Sequence, residues 1–187
     1  MALPFFTIGH SNRSFEAFLE LLRGADIVLV VDVRKMPGSR SNPQFNGVTL
    51  SEALAGHQIA YEHVAGLGGL RGKTPDAVTE TNALWANKSF HNYADYALTP
   101  PFRAGLEHLR EIGHRRRCAI MCSEAVWWRC HRRIIADYLI AGGEAVLHIM
   151  DQGRHDPAHL TPGAVIQPDR TILYPAADGA QAEMKLG

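Results

Sequence analysis

Short apolar runs alternate along this chain with stretches whose apolar residues recur every third or fourth position, and that alternation constrains the fold more than any other feature. Pro4 to Ile8 and Ile27 to Val33 read as buried strands, because they are nearly continuous in apolar and β-branched residues. Between them Phe15, Phe18, Leu19 and Leu22 lie at helical spacing, with Ser14 placed to cap the helix and Gly24 to close it. Thr49 to Glu52 forms a capping-box pattern for a short helix stopping near Gly56, and Ile59 to His63 reads as a third strand. A loop-rich insertion follows from Gly66 to Asn92. Thr99-Pro100-Pro101 opens a helix with Phe102, Leu106, Leu109 and Ile112 on one face and Gly113 as its terminator. Cys118 to Cys122 is a fourth strand, Ser123 to about Ile140 a long helix ended by Gly142-Gly143, and Ala145 to Met150 a fifth strand.

Strands that alternate with helices imply an α/β fold, with a mainly parallel sheet of about five strands and helices on both faces. After Asp151 the pattern weakens, and Val165 to Gln167 with Thr171 to Tyr174 predict a short hairpin across Pro168-Asp169. The expected organisation is a single α/β domain over 1–175 with a frayed tail over 176–187. With 46% apolar and 20% charged residues, a disordered or fibrous chain is excluded. Lys plus Arg and Asp plus Glu each count 19, so no overall charge draws the chain to nucleic acid or to an anionic membrane.

Three cysteines are too few for a disulfide scaffold and read as thiols in a reducing compartment. The first residues lack the pattern of a secretory signal, and no segment approaches the ~20 apolar residues of a membrane span. The expectation is a cytoplasmic protein with no membrane contact; nothing in the pattern specifies an oligomer.

In open parallel sheets ligands bind beyond the carboxyl ends of the strands, so strand ends are where chemistry is sought. Those ends carry His10 and Ser11, then Asp32 and Arg34, then Cys122, Ser123 and Glu124, with His148 near the fifth. A thiol at a strand-to-helix junction meets unpaired backbone N–H groups and a helix dipole, which lower its pKa, so Cys122 is the candidate nucleophile. It can equally be a small buried strand residue. On the expected helix Glu124, Trp128 and His131 share a stripe, placing Glu124 and His131 beside one cavity. The same helix carries Cys130 roughly 10 Å along from Cys122, too far for one ion, and puts it on the core stripe of Val126 and Ile134.

Arg34, Arg40, Arg71, Arg129, Arg132 and Arg133 fall at strand ends or loops, where a planar guanidinium suits phosphate or carboxylate. Asp32 and Arg34, two residues apart on a strand, point to one side, so Arg34 either pairs with Asp32 or grips a ligand. The phosphatase pattern Cys-x5-Arg fails, since Cys122 reaches Arg129 only after six residues, and no Cys-x-x-Cys redox pair is present.

Three functions follow. The first is an enzyme using the Cys122 thiolate on a small or nucleotide-like anionic substrate, with His10 or His131 as base, Glu124 beside them, and Ser11, Asp32, Arg34, Arg40 and Arg132 at the binding site. The second is a zinc or iron protein with Cys122, Glu124, His10 and His148 as ligands. The third is a nucleic-acid-associated module, using His114-Arg-Arg-Arg117 and the arginines near Trp127 and Trp128.

Several motifs occur in order: Thr7-Ile-Gly-His-Ser11, Asp32-Val-Arg34 with Pro37 and Ser39-Arg40, Leu67-Gly-Gly69, and Met121-Cys-x-Glu124 with Cys130-His-Arg132. Together they resemble the bacterial family known as domain of unknown function 488, or DUF488, from about Phe6 to His148. The resemblance implies a single α/β domain and a shared site at His10, Ser11, Asp32, Arg34, Arg40, Cys122, Glu124, Cys130, His131 and Arg132, without assigning a reaction. Cys130 is the point of disagreement, because the motif includes it while the helical stripe makes it core.

Overall fold

In the computed structural model, which describes residues 1–177, the strands are β1 (Phe5–Gly9), β2 (Leu29–Asp32), β3 (Ala60–His63), β4 (Cys118–Cys122), β5 (Val146–Ile149) and β6 (His155–Pro157). They form one sheet in the order β3-β2-β4-β1-β5-β6, parallel except for the antiparallel edge strand β6. That edge strand exceeds the five strands expected. It carries His155, Asp156 and Pro157, a triplet without apolar periodicity, and it is made by pairing with β5 rather than by burial.

β1, β2 and β4 are buried at every position, as a sheet covered on both faces requires. Alternate residues feed two separate cores. Phe6, Ile8, Val30, Ala119 and Met121 face α1 (Phe15–Gly24) and α2 (Gly47–Ala55). Phe5, Val31, Cys118, Ile120 and Cys122 face α3 (Lys88–Tyr96), α4 (Pro100–Arg115) and α5 (Arg132–Ala141). Ser14 caps α1 by accepting a hydrogen bond from the Ala17 amide at 3.1 Å, as its sequence predicts.

Three helix boundaries differ from the sequence expectation. α2 starts at Gly47, so Thr49 lies inside the helix and no capping box forms. α4 runs past Gly113 to Arg115, and Gly113 faces the ring of Phe5. The largest correction concerns Ser123 to His131, expected to be helical. The chain there turns through a single 3-10 turn at Trp127–Arg129, and α5 begins only at Arg132. Trp and Cys are middling helix formers, and the tertiary contacts of this segment prevail over the helix propensity of its neighbours.

The expected C-terminal hairpin is present as β7 (Val165–Ile166) and β8 (Ile172–Leu173). Its approach is fastened over α5, where Asp137 accepts hydrogen bonds from the Thr161 amide and the Tyr174 hydroxyl, each at 2.8 Å. Burial raises the Asp137 pKa against those bonds. From residue 178 onward the tail expected at 176–187 lies outside the described residues. Among the described residues no helix is long and apolar enough to cross a membrane.

Candidate functional site

β1 and β4 are neighbours, yet the helices that follow them leave to opposite faces: α1 packs on one core and α5 on the other. This divergence opens a crevice at the carboxyl ends of the two strands. A cavity of about 840 Å³ lies there, lined by His10, Ser11 and Asn12 after β1, by Cys122, Ser123 and Glu124 after β4, and by Cys130 and His131 before α5. Loops carrying Arg34, Lys35, Met36, Ser39, Gly69 and Leu70 make the facing wall.

Pairing of β1 with the β4 segment continues past the strands, as the His10 amide donates to Cys122 O and the Ser11 amide to Ser123 O. Ser11 takes a left-handed φ of 49° at this bend. The segment then folds back across β1, so close that a Cβ on Gly9 would stand 1.8 Å from the Glu124 carbonyl oxygen. Only glycine permits this approach, which accounts for Gly9 in the Thr7-Ile-Gly-His-Ser11 motif.

Folding back brings together groups that a continuous helix would separate. The Cys122 and Cys130 sulfurs lie at disulfide distance from one another. The Sγ atoms of both cysteines and a ring nitrogen of His131 all lie within 4.8 Å of one another. The expectation that Cys130 stands too far from Cys122 to share an ion is therefore overturned, because the intervening residues form a loop. Cys130 is nonetheless buried in the core, as its stripe predicted.

The helix terminus also serves a different thiol. Cys122 ends β4 and has no helix behind it; Cys130 stands just ahead of α5, where its Sγ accepts from the Arg132 amide at 3.5 Å and from Arg132 Nε at 3.3 Å. Both donors favour an anionic sulfur. Arg132 is 1% exposed, and its other hydrogen bonds go to Glu124 O at 2.6 Å and Thr7 Oγ1 at 3.3 Å. Burial pulls its pKa down to about 9, so it stays charged near neutrality.

His131 is oriented from behind. Its Nε2 donates to Val33 O at 2.9 Å, which leaves Nδ1 as the lone-pair nitrogen, 3.6 Å from Cys130 Sγ. Burial lowers its pKa to about 4, with Arg132 and Arg71 adding to the effect. A Cβ on Gly69 would stand 2.8 Å from Nδ1, so this glycine keeps the space beside the nitrogen open. No signal in the sequence ties Leu67-Gly-Gly69 to His131; the contact is purely tertiary.

The remaining expected site residues divide. Asp32 and Arg34 form a buried ion pair, with Arg34 Nε at 2.9 Å and 3.1 Å from the carboxylate oxygens and Nη2 at 2.6 Å. Nη2 also donates to Phe45 O, and Tyr61 donates to Asp32. Arg34 thus faces the cavity with most of its donors engaged. His10 stacks on Phe45 and contacts Ser11 O and Arg34 Nη1, and burial lowers its pKa. Glu124 is exposed at the cavity mouth, off any helical stripe with His131. Arg40 is exposed and does not line the cavity. His148 is not at the cavity either: it stacks on Trp127 and bonds Thr7 Oγ1 at 2.7 Å. The expected ligand set of Cys122, Glu124, His10 and His148 does not assemble.

The nucleic-acid motif is dispersed as well. Arg116 and Arg117 precede β4, whereas Trp127 and Trp128 follow its far end, so the basic run and the tryptophans lie at opposite ends of the sheet. Arg117 donates to Ala25 O and lies over the Phe6 ring, and Arg115 pairs with Glu111.

Comparison with curated proteins and with solved structures gave no match. The family model described as domain of unknown function DUF488 matches residues 14–139, a span that includes the Asp32–Arg34 pair, Gly69 against His131, and the Cys122 to Arg132 loop, and the chain belongs to that family.

Proposed function

We propose that this protein is an enzyme acting on a small molecule with an anionic group, bound in the strand-end cavity with the Cys122, Cys130 and His131 cluster as its reacting centre. One observation carries the reading: an electron-rich set of two sulfurs and an imidazole nitrogen opens onto a cavity at the crevice between β1 and β4. The neighbours have complementary tasks. The Arg132 amide at the start of α5 and the Arg132 guanidinium donate to the Cys130 sulfur, an arrangement that favours negative charge there, and Glu124 at the mouth is available for proton transfer. Ser11, Asn12, Ser39 and Ser41 offer hydroxyl and amide groups to orient a polar ligand. Lys35 and Arg129 at the exposed rim attract its anionic group, whereas Arg34, held by Asp32, shapes the wall. A reducing cytoplasm, which keeps the thiols reduced, is the setting this reading calls for.

The test is a panel of small phosphorylated and carboxylated molecules, scored by thermal shift and then by product formation in mass spectrometry. The expected result is a stabilising ligand that the wild type turns over and Cys130→Ser binds without turnover. A panel that neither stabilises the wild type nor is converted by it overturns the proposal.

A further inference from the structure

We infer that Cys122, Cys130 and His131 form a zinc centre, binding the ion through two Sγ atoms and Nδ1 and leaving its fourth position open to the cavity. The role of that open position rests on the reading of the cavity as an active site; occupancy of the centre does not.

The donor chemistry is the first argument. Two thiolates and an imidazole are borderline-soft ligands suited to zinc, and three protein ligands with a vacant fourth position are the arrangement of catalytic rather than structural zinc. Spacing is the second. Zinc–sulfur bonds of about 2.3 Å at tetrahedral angles set two sulfurs roughly 3.8 Å apart; the three donor atoms here fall within 4.8 Å of one another, and the two sulfurs, which lie at disulfide distance, must part on reduction to admit the ion. The Cα atoms of Cys122 and Cys130 are 7.7 Å apart, beyond the about 4.4–6.8 Å usual for a disulfide and suited to two ligands of one ion.

The surroundings of the donors are the third argument, and they are independent of the cluster itself. A zinc-bound histidine commonly donates its second ring N–H to a backbone carbonyl, and Nε2 of His131 does so to Val33 O at 2.9 Å. Gly69 holds open the volume beside Nδ1, which a Cβ would fill at 2.8 Å. Arg132, buried and with no salt bridge to a carboxylate among the described residues, donates to the Cys130 sulfur from Nε and from its amide. On binding, the thiols release their protons to solvent, and their two negative charges match the ion's two positive ones. The open position takes water or a substrate oxygen.

The experiment uses the full chain, untagged and kept reduced, titrated with zinc against a chromogenic chelator and with cobalt as a spectroscopic stand-in. Expected are one equivalent of zinc, a thiolate-to-cobalt charge-transfer band and the visible bands of a tetrahedral ion. Cys130→Ser and His131→Ala should lose the charge-transfer or tetrahedral signature, and Gly69→Ala should weaken zinc about tenfold or more by crowding Nδ1. If His131→Ala does not fold, His131→Cys supplies a replacement ligand and should strengthen the charge-transfer band. No band in the reduced wild type, or zinc held as tightly by a folded His131→Ala chain, overturns the centre. Turnover that persists in the metal-free chain overturns the role of the open position and leaves the enzyme reading standing; zinc bound stoichiometrically with no ligand in the cavity overturns the enzyme reading and leaves the centre standing.

Discussion

Two buried arginines beside the same cavity stand in opposite chemical situations. Arg34, at the end of β2, is matched by the Asp32 carboxylate, and Tyr61 and Phe45 O complete a closed network. Arg132, at the start of α5, donates to a sulfur, a hydroxyl and a carbonyl. The first network is charge-balanced from within and leaves little for a ligand. The second places a fixed cation against a thiol that faces the cavity, where electron density is available for chemistry. Burial and charge alone therefore do not mark a binding residue; what the charge is spent on does.

The comparison breaks most visibly in stability. Asp32→Ala strands the Arg34 guanidinium in the core and should cost about 3–5 kcal/mol in urea unfolding, with zinc binding by the surviving folded chain unchanged. Arg34→Lys keeps the charge but loses the fork geometry, and should cost about 1–3 kcal/mol while leaving protection by anionic ligands intact. Loss of that protection without loss of stability would make Arg34 a ligand residue and erase the contrast.

Arg132→Met should do the opposite. Methionine relieves the burial of an uncompensated charge, so the stability change stays below that of Asp32→Ala, while zinc affinity falls about tenfold to a hundredfold. Equal destabilisation by the two variants, with zinc affinity unmoved, would make both arginines structural.

A smaller effect concerns His148, on the side of the sheet where Arg132 bonds Thr7. Burial, helped by the nearby Arg132 charge, lowers its pKa to about 3 from an ordinary 6.5. The native ring stays neutral while the unfolded one takes up a proton below about 6.5. This contribution to stability is complete above that pH and is lost as pH falls toward about 3, with a slope of at most about 1.4 kcal/mol per pH unit. Denaturation midpoints of wild type and His148→Gln, measured between pH 7 and pH 4, should converge as the pH drops; parallel curves would show that His148 titrates normally. The smallest effect belongs to Arg40, exposed and outside the cavity. Arg40→Ala should change stability by less than about 0.5 kcal/mol and ligand protection not at all, and a lost thermal shift would return it to the site.

Strands, helix faces and the side of the sheet on which to look were legible in the residues, because alternation and helical period are local patterns that burial amplifies. β4 and the N-cap of α1 fall where their residues predict. The strand-end rule led to His10, Ser11, Cys122 and Glu124, all of which line the cavity. Which thiol meets the helix, which histidine meets the thiols and which arginine is free of a carboxylate were decided elsewhere. They depend on the loop between Cys122 and Arg132 folding across Gly9, on Val33 and Gly69 fixing His131 from distant segments, and on Asp32 claiming Arg34. A helical period assigned across that loop misplaces Cys130, since nothing local in Ser123 to His131 signals that contacts with β1 outweigh helix continuation. The parallel sheet and the end that carries the cavity were legible in the residues because they follow from near-neighbour periodicity; the meeting of Cys122, Cys130 and His131 was not, because the residues that position it, Gly9, Val33 and Gly69, are distant in the chain and reach it by packing.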